Sequence, residues 1–182
     1  EVFRKRKYLD ILSRHLPETA EAAGLAALVG CESLFGPQDG KLHLADRGRP
    51  SAYRIVLPKD PVRAEAYAAG ELQSTIREIG GVELPIVLVD RIPERHALVI
   101  GSVDSALAAV RRIANQMRCK KGLDDIVAVK TDGGNVFFVA NSPRATMYAV
   151  YHFLWDELGA RWYWPGEDGT FLPRLTRYEM KD

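Results

Sequence analysis

Residues 142–166 read SPRATMYAVYHFLWDELGARWYWPG and join a strongly marked helix to an aromatic segment. Ser142 is a favoured N-cap residue, and Pro143 suits the first position of a helix. Apolar side chains then recur at helical spacing, at Met147, Val150, Tyr151, Leu154 and Leu158. Gly159 follows where many helices end in a left-handed residue. The pattern predicts a helix that buries one face and ends at Gly159.

The segment after this helix is unusually aromatic. Arg161, Trp162, Tyr163 and Trp164 place two indoles and a phenol beside a guanidinium, before a Pro-Gly pair ends the run. Such rings dominate protein cores and interfaces, and indoles also stack on the faces of sugars. These four residues are therefore the candidates for an interface or for a ligand site, and packing in a core or interface is the more common use of such rings.

Length and composition exclude several classes of protein. With 182 residues and 47% hydrophobic residues, the chain suits one soluble domain plus a modest extra segment, and it has no apolar run of transmembrane length. A net charge of +1, with basic and acidic residues interleaved, gives no basic stripe for nucleic acid. Cys31 and Cys119 are too few for a disulfide framework and too isolated for zinc. We expect neither a metal nor a cofactor.

The first 50 residues differ from the rest. A basic start (Lys5-Arg6-Lys7-Tyr8-Leu9) resembles a twin-arginine export motif, and Leu28-Val29-Gly30-Cys31 resembles a bacterial lipobox, in which Cys31 would be acylated. Acidic residues interrupt the apolar segment between them, so the alternative is an ordinary amphipathic helix. We interpret residues 1–31 as an export or lipoprotein signal and residues 32–50, which are rich in Gly and Pro, as a linker.

From residue 51 the pattern becomes regular. Strands are predicted at 53–57, 84–89, 97–101, 126–131 and 136–140, the last two joined by a turn at 132–135, Asp-Gly-Gly-Asn. A helix is predicted from Pro61, capped by Asp60, to Gly80-Gly81, and a second one at 107–117, capped by Ser102 or Asp104. With the helix at 142–159, this order predicts an α/β fold, a mixed β-sheet of about five strands with helices packed against it.

The motifs of the common enzyme classes are missing. The turn after the first strand carries two prolines where a phosphate-binding loop would need glycines and free N–H groups. The acidic pairs Asp124-Asp125 and Asp156-Glu157 point in diverging directions, so neither suits the paired carboxylates of a glycosidase. No nucleophile elbow is present, and His152 is expected to be a packed or surface residue. The sequence predicts no catalytic residue.

Several pieces, taken in order, carry a family resemblance. They are residues 53–58 (YRIVLP), 64–73 (AEAYAAGELQ), 81–86 (GVELPI), 99–101 (VIG) and, most specifically, 142–154 with 158–166. In this order they resemble the non-catalytic N-terminal α/β domain of bacterial α-glucuronidases of glycoside hydrolase family 67. They are also similar to the second domain of β-N-acetylhexosaminidases. Gly70, Ala160 and Trp164 depart from the expected pattern.

The resemblance implies a hexosaminidase domain 2-like fold over residues 51–173, in a secreted or surface glycoside hydrolase. It implies that a catalytic (β/α)8 barrel, which this chain does not contain, follows a linker starting at 174–182 and carries the catalytic carboxylates. It also implies that residues 161–166 lie toward the barrel.

The leading hypothesis is thus a non-catalytic accessory domain of a carbohydrate-active hydrolase, exported to the periplasm, outer surface or extracellular medium. The first alternative is a free-standing carbohydrate-binding module that uses Arg161, Trp162, Tyr163 and Trp164. The second is a structural surface lipoprotein domain anchored at Cys31, which would be its sole contact with a membrane.

Overall fold

The computed structural model describes residues 41–46, 51–122, 124–175 and 177–181. In chain order its elements are β1 (Lys41–Asp46), β2 (Arg54–Pro58), α1 (Arg63–Gly80), β3 (Ile86–Val89), β4 (Ala97–Ser102), α2 (Ala108–Gln116), β5 (Val127–Asp132), β6 (Asn135–Ala140), α3 (Ala145–Asp156), β7 (Arg161–Trp162), a 3-10 helix (Glu167–Gly169), β8 (Thr170–Phe171) and β9 (Arg177–Lys181). From β2 to α3 the order of strands and helices is the predicted one. The signal prediction for residues 1–31, including Cys31, lies outside the described residues.

A five-stranded sheet in the order β3-β2-β4-β6-β5 forms the centre of the domain. β2, β3, β4 and β6 are parallel, and β5 joins the edge antiparallel to β6. The β5–β6 hairpin turns at Gly133 and Gly134, whose φ angles are 60° and 81°. The predicted mixed α/β sheet with helices packed against it is confirmed.

Both faces of the sheet are covered, which explains why its central strands are continuously apolar. On the first face, α1 and α3 pack over a core that includes Leu72, Phe138 and Phe153. On the second face, α2 packs over a smaller core that includes Val99 and Ile113. All six residues of β4 and all six of β6 are buried.

The helix starts differ from the predicted caps. α1 begins at Arg63 rather than Pro61, and the Glu65 carboxylate, not Asp60, accepts the N–H of Val62. At α2, the hydroxyl of Ser105 accepts the N–H of Leu107, the place predicted for Ser102 or Asp104. In each case the oxygen that binds belongs to a residue two or three positions away in the sequence, and spacing alone does not rank such neighbouring candidates.

The third helix follows its prediction more closely. The Ser142 hydroxyl accepts the N–H of Ala145 at 3.2 Å, although the regular helix starts at Ala145 rather than Pro143. Gly159 has a φ of 72°, and the N–H of Ala160 donates to the carbonyl of Leu154. Gly159 is therefore the left-handed residue that releases the chain from α3.

Two asparagines fasten the loops at the two ends of β6. Asn135 accepts the N–H of Ala97 and donates to the carbonyls of Pro93 and Glu94. Asn141 accepts the N–H of Ile126 and donates to the carbonyls of Lys120 and Asp124. Both side chains are buried, and each supplies hydrogen-bond partners to backbone groups of the loops that would otherwise be unpaired.

Outside the central sheet, β1 pairs antiparallel with β9. The two strands lie in the segments 32–50 and 174–182, which were predicted to be linkers, and this pairing was not predicted. Leading into β9, the N–H of Leu175 donates to the carbonyl of Ile79, and the Tyr178 ring packs edge-on against Phe153 at 6.0 Å. The segment after Phe171 thus crosses the ends of α1 and α3.

Candidate functional site

The aromatic segment after α3 forms a short hairpin. β7 pairs antiparallel with β8, Arg161 opposite Phe171 and Trp162 opposite Thr170. The N–H of Tyr163 donates to the carbonyl of Gly169 at 2.8 Å and continues this register. The four residues chosen from the sequence therefore lie on a defined piece of structure, close to the end of α3.

A close backbone approach holds Trp164 in this hairpin. A Cβ atom on Gly169 would lie 2.1 Å from the carbonyl oxygen of Trp164 and 2.7 Å from its Cδ1 atom. No side chain fits in that space, so glycine is required at position 169. At the turn, Gly166 has a φ of 113°, which also favours glycine. The hairpin thus fixes the position from which the Trp164 side chain extends into solvent.

The hairpin separates the aromatic residues into two groups. Trp162 is partly buried and packs edge-on against Tyr151 of α3, with ring centroids 5.3 Å apart. Tyr163 and Trp164 are 64% and 59% exposed, and their rings lie 6.0 Å apart at an angle of 40°. Trp162 is therefore a packing residue, whereas Tyr163 and Trp164 face outward.

Arg161 is bound within the domain rather than extended into solvent. Its guanidinium lies over the Trp155 ring, 4.4 Å from the centroid, and donates to the backbone carbonyls of Trp155 and Ala160. These carbonyls lie at the C-terminal end of α3, where a cation is favourable. Arg161 thus flattens against the indole and extends the aromatic surface with a planar cation.

Trp155, Arg161, Tyr163, Trp164 and Phe171 together form a surface that we call the aromatic patch. Residues opposite each other in an antiparallel pair share a face, so Arg161 and Phe171 lie side by side, and alternation brings Tyr163 to that face. Trp155 is 40% and Phe171 55% exposed. Exposed apolar clusters of this kind are typical of interaction sites.

Acidic residues border the aromatic patch. Asp156 and Glu157 follow Trp155 at the end of α3, and Glu167 and Asp168 form the 3-10 turn between β7 and β8; all four are exposed. A partner of the aromatic patch would therefore meet rings at the centre and carboxylates at the edge.

A comparison with protein-family models and with curated proteins found no match to this chain. The aromatic patch and the groups around it therefore have to be interpreted from their own geometry.

A polar cluster that the sequence analysis missed lies behind Trp162. The Tyr151 hydroxyl donates to the Glu71 carboxylate at 3.1 Å and lies 3.5 Å from the hydroxyl of Tyr67. Burial raises the pKa of Tyr151, and the nearby charge of Glu71 raises it further. Glu71 lies at helical spacing from buried Ala68 and Thr75, which is the one signal that marks it as inward-facing. The cluster ties α1 to α3 beneath the hairpin.

The crevice where open α/β sheets bind ligands is occupied by a side chain of this chain. That crevice lies between β2 and β4, whose connections leave in opposite directions. Glu65 is 3% exposed there; it accepts the N–H of Val62 at 3.2 Å and a backbone hydrogen bond from Ser102. Burial raises the pKa of Glu65 despite these bonds. Backbone donors that could meet an anionic ligand thus already bind the Glu65 carboxylate.

The acidic pair Asp156 and Glu157 does diverge. Asp156 lies 3.5 Å from His152 on the exposed side of α3, whereas Glu157 accepts the hydroxyl of Tyr178 at 3.2 Å. Asp125 forms an ion pair with Arg144 at 2.8 Å. These carboxylates therefore serve surface contacts and do not converge on a common point.

Cys119 is buried in the core under α2, and burial raises the pKa of its thiol. Within the described ranges, no group of three or more His, Cys, Asp or Glu residues is arranged to hold a metal ion. No helix in this part of the chain has the length and hydropathy to cross a membrane.

Proposed function

We propose that residues 51–173 act as a non-catalytic accessory domain of a secreted or surface glycoside hydrolase, and that the aromatic patch packs against a catalytic (β/α)8 barrel of the same polypeptide. The observation that carries the proposal is the exposure of Tyr163, Trp164 and Phe171 on a hairpin whose backbone is fixed. Rings held rigidly outward lose little conformational entropy when a partner covers them. The sequence resemblance supplies the identity of that partner.

Two further features support this proposal over catalysis by the chain itself. Glu65 fills the crevice at the carboxyl ends of β2 and β4, where a ligand of an α/β domain would be expected. The acidic pair nearest the aromatic patch, Asp156 and Glu157, points in two directions. The exposed rings and the diverging carboxylates at this end of the domain therefore suit burial against a partner better than catalysis of bond cleavage.

The test is hydroxyl-radical footprinting of this chain alone and of the native polypeptide extended past Asp182. Packing against a barrel predicts strongly reduced oxidation of Tyr163, Trp164 and Phe171 in the longer protein. Met117, which is 38% exposed at the end of α2 on the other side of the sheet, is the internal control and should be oxidised equally in both. Unchanged oxidation of the three rings, or a native reading frame without a following barrel, would refute the proposal.

A second candidate function is direct glycan binding by the same rings. It is favoured by the pair Tyr163 and Trp164, which are exposed and mutually tilted as in a platform for a sugar chain. Trp164→Ala should then weaken glycan binding to the chain alone by about 1–3 kcal/mol. Tyr148→Ala removes a ring that is 42% exposed on α3, outside the aromatic patch, and is the matched control. Equal binding by the two variants would exclude this function.

Export and lipid anchoring at Cys31 stay predictions. Metabolic labelling with a fatty acid tests them, since a Cys31→Ser variant should lose the label and an unlabelled parent chain would remove the lipoprotein hypothesis.

A further inference from the structure

Around α2, on the second face of the sheet, six basic residues lie close together, and five of them fall in residues 105–123, which contain no Asp or Glu. They are Arg111, Arg112, Arg118, Lys120, Lys121 and Lys130. Two contacts join β5 to α2 within this group: Lys130 of β5 donates to Gln116 at the end of α2, and Arg112 of α2 pairs with Asp132 at the end of β5. We call this group the basic surface.

The basic surface keeps an excess of positive charge after its internal ion pairs are formed. Asp132 pairs with Arg112 at 2.6 Å and Asp104 with Lys121 at 2.7 Å. Asp124 lies close by, because Asn141 binds its carbonyl together with that of Lys120. Six basic side chains against these three carboxylates leave a net charge of +3. Arg118 and Lys120 form no ion pair within the described residues.

Two exposed aliphatic side chains lie beside the residues of the basic surface. Met117, which is 38% exposed, ends α2 directly before Arg118. Ile126, which is 37% exposed, is bound through its N–H to Asn141, the residue that also holds the carbonyl of Lys120. The large exposed apolar side chains beside the basic surface are thus aliphatic, whereas the exposed aromatic rings of the described chain lie on α3 and the β7–β8 hairpin.

We propose that the basic surface, with Met117 and Ile126, is a contact site for an anionic phospholipid surface. Cations at such a surface are attracted to anionic headgroups, and aliphatic side chains enter the boundary between headgroups and acyl chains. Single-stranded nucleic acids and sugars are typically held by stacking on aromatic rings, which this surface does not offer in the described residues. The combination of cations and aliphatic side chains therefore selects lipid over these polymers.

This contact is independent of the aromatic patch. α1, α3 and the β7–β8 hairpin cover the first face of the sheet, and α2 covers the second. A domain that packs its aromatic patch against a partner thus leaves the basic surface free to face a membrane, and loss of either contact does not require loss of the other.

The experiment is co-sedimentation of the full chain with phosphatidylcholine vesicles that contain phosphatidylglycerol. We expect binding that weakens with added salt and that is lost on vesicles of phosphatidylcholine alone. The double variant Arg118→Gln/Lys120→Gln should bind about 25-fold more weakly, since each cation near an anionic surface contributes about fivefold. Arg63→Gln/Arg174→Gln removes the same charge from exposed positions beyond the basic surface and should bind like the parent chain.

Met117→Ser separates the aliphatic contribution from the charge and should weaken binding without changing its salt dependence. If the Arg118/Lys120 variant does not fold, as judged by circular dichroism, Lys130→Gln with the same vesicles replaces it. Equal binding to neutral vesicles, or equal loss in both double variants, would overturn the proposal. Capture by an acidic polysaccharide or by nucleic acid without vesicle binding would overturn it as well.

Discussion

Trp162→Ala and Trp164→Ala form a matched pair that tests how the hairpin divides its rings. A buried tryptophan covers roughly 150–250 Å² of its surface in a folded protein. Trp164 is 59% exposed, so about 80 Å² is covered, and at about 25 cal/mol per Å² its loss has an upper limit of about 2 kcal/mol. Because alanine keeps part of that contact, we expect a cost of about 1 kcal/mol.

Trp162 should cost more to remove. It packs on the core under α3, and its edge-on contact with Tyr151 at 5.3 Å adds about 0.5–1.5 kcal/mol to simple burial. Truncation of buried tryptophan costs about 3–5 kcal/mol, so a partly buried one should cost about 3 kcal/mol. The two variants should then differ by about 2 kcal/mol, or about 4–8 °C in melting temperature.

The assay is chemical unfolding followed by far-ultraviolet circular dichroism, because tryptophan fluorescence is altered by both substitutions. Each variant should keep the slope of the parent chain and shift only its midpoint. Equal destabilisation by Trp162→Ala and Trp164→Ala would refute the division into an inward and an outward ring. A larger loss for Trp164→Ala would mean that the exposed ring is packed in solution.

Further substitutions at Glu65, at Asn135 and Asn141, and at Gly169 test features of the fold. Glu65→Gln should flatten the pH dependence of stability: burial raises the pKa of Glu65 above its ordinary value of 4.5, so the parent chain has this contribution in full below pH 4.5 and loses it as the pH rises through the raised pKa. The midpoint of urea unfolding against pH measures this, and equal slopes in parent and variant would contradict it. Asn135→Ala or Asn141→Ala should each cost about 2–4 kcal/mol, because buried loop groups lose their partner. Hydrogen exchange should speed up first in the 93–97 or 120–126 loop, respectively, and faster exchange at both sites in either variant would show that the two clamps are not independent. Gly169→Ala forces the backbone away from the Trp164 carbonyl and should increase exchange of the Tyr163 amide, while Gly133→Ala, which meets open space at the β5–β6 turn, should leave that amide unchanged.

Periodicity predicted the central fold well for a physical reason. Strands buried on both faces leave continuous apolar runs, and α1 and α3 are followed by glycines, Gly81 and Gly159, that adopt positive φ angles. These signals are local, so they survive in the sequence. Helix starts were harder, since the bonds of Val62 to Glu65 and of Leu107 to Ser105 are as local as the caps expected from Asp60, Ser102 or Asp104, and spacing alone does not rank such neighbouring candidates.

The sequence identified some residues of the candidate site and not others. The run from Arg161 to Trp164 marked the right segment, but its neighbours Trp155 and Phe171 enter the aromatic patch through a cation–π contact and a strand register. Glu71 was missed because a lone carboxylate on a helix gives no sign of the tyrosine that meets it from another helix. Five of the six residues of the basic surface follow one another in the sequence without an intervening acid, whereas Lys130 joins them only through the contact of β5 with α2.

Some surfaces of the domain are covered by its own helices and side chains, and this limits where a partner can bind. Helices cover both faces of the sheet. The crevice between β2 and β4, where open α/β sheets usually bind ligands, is filled by Glu65. The chain then leaves α3 through the β7–β8 hairpin and crosses the ends of α1 and α3 to β9, which pairs with β1. Tyr178, near the start of β9, reaches Glu157 at the border of the aromatic patch through its hydroxyl. The chain therefore passes beside the aromatic patch where it enters β9, and a partner that covers the exposed rings would also meet this crossing.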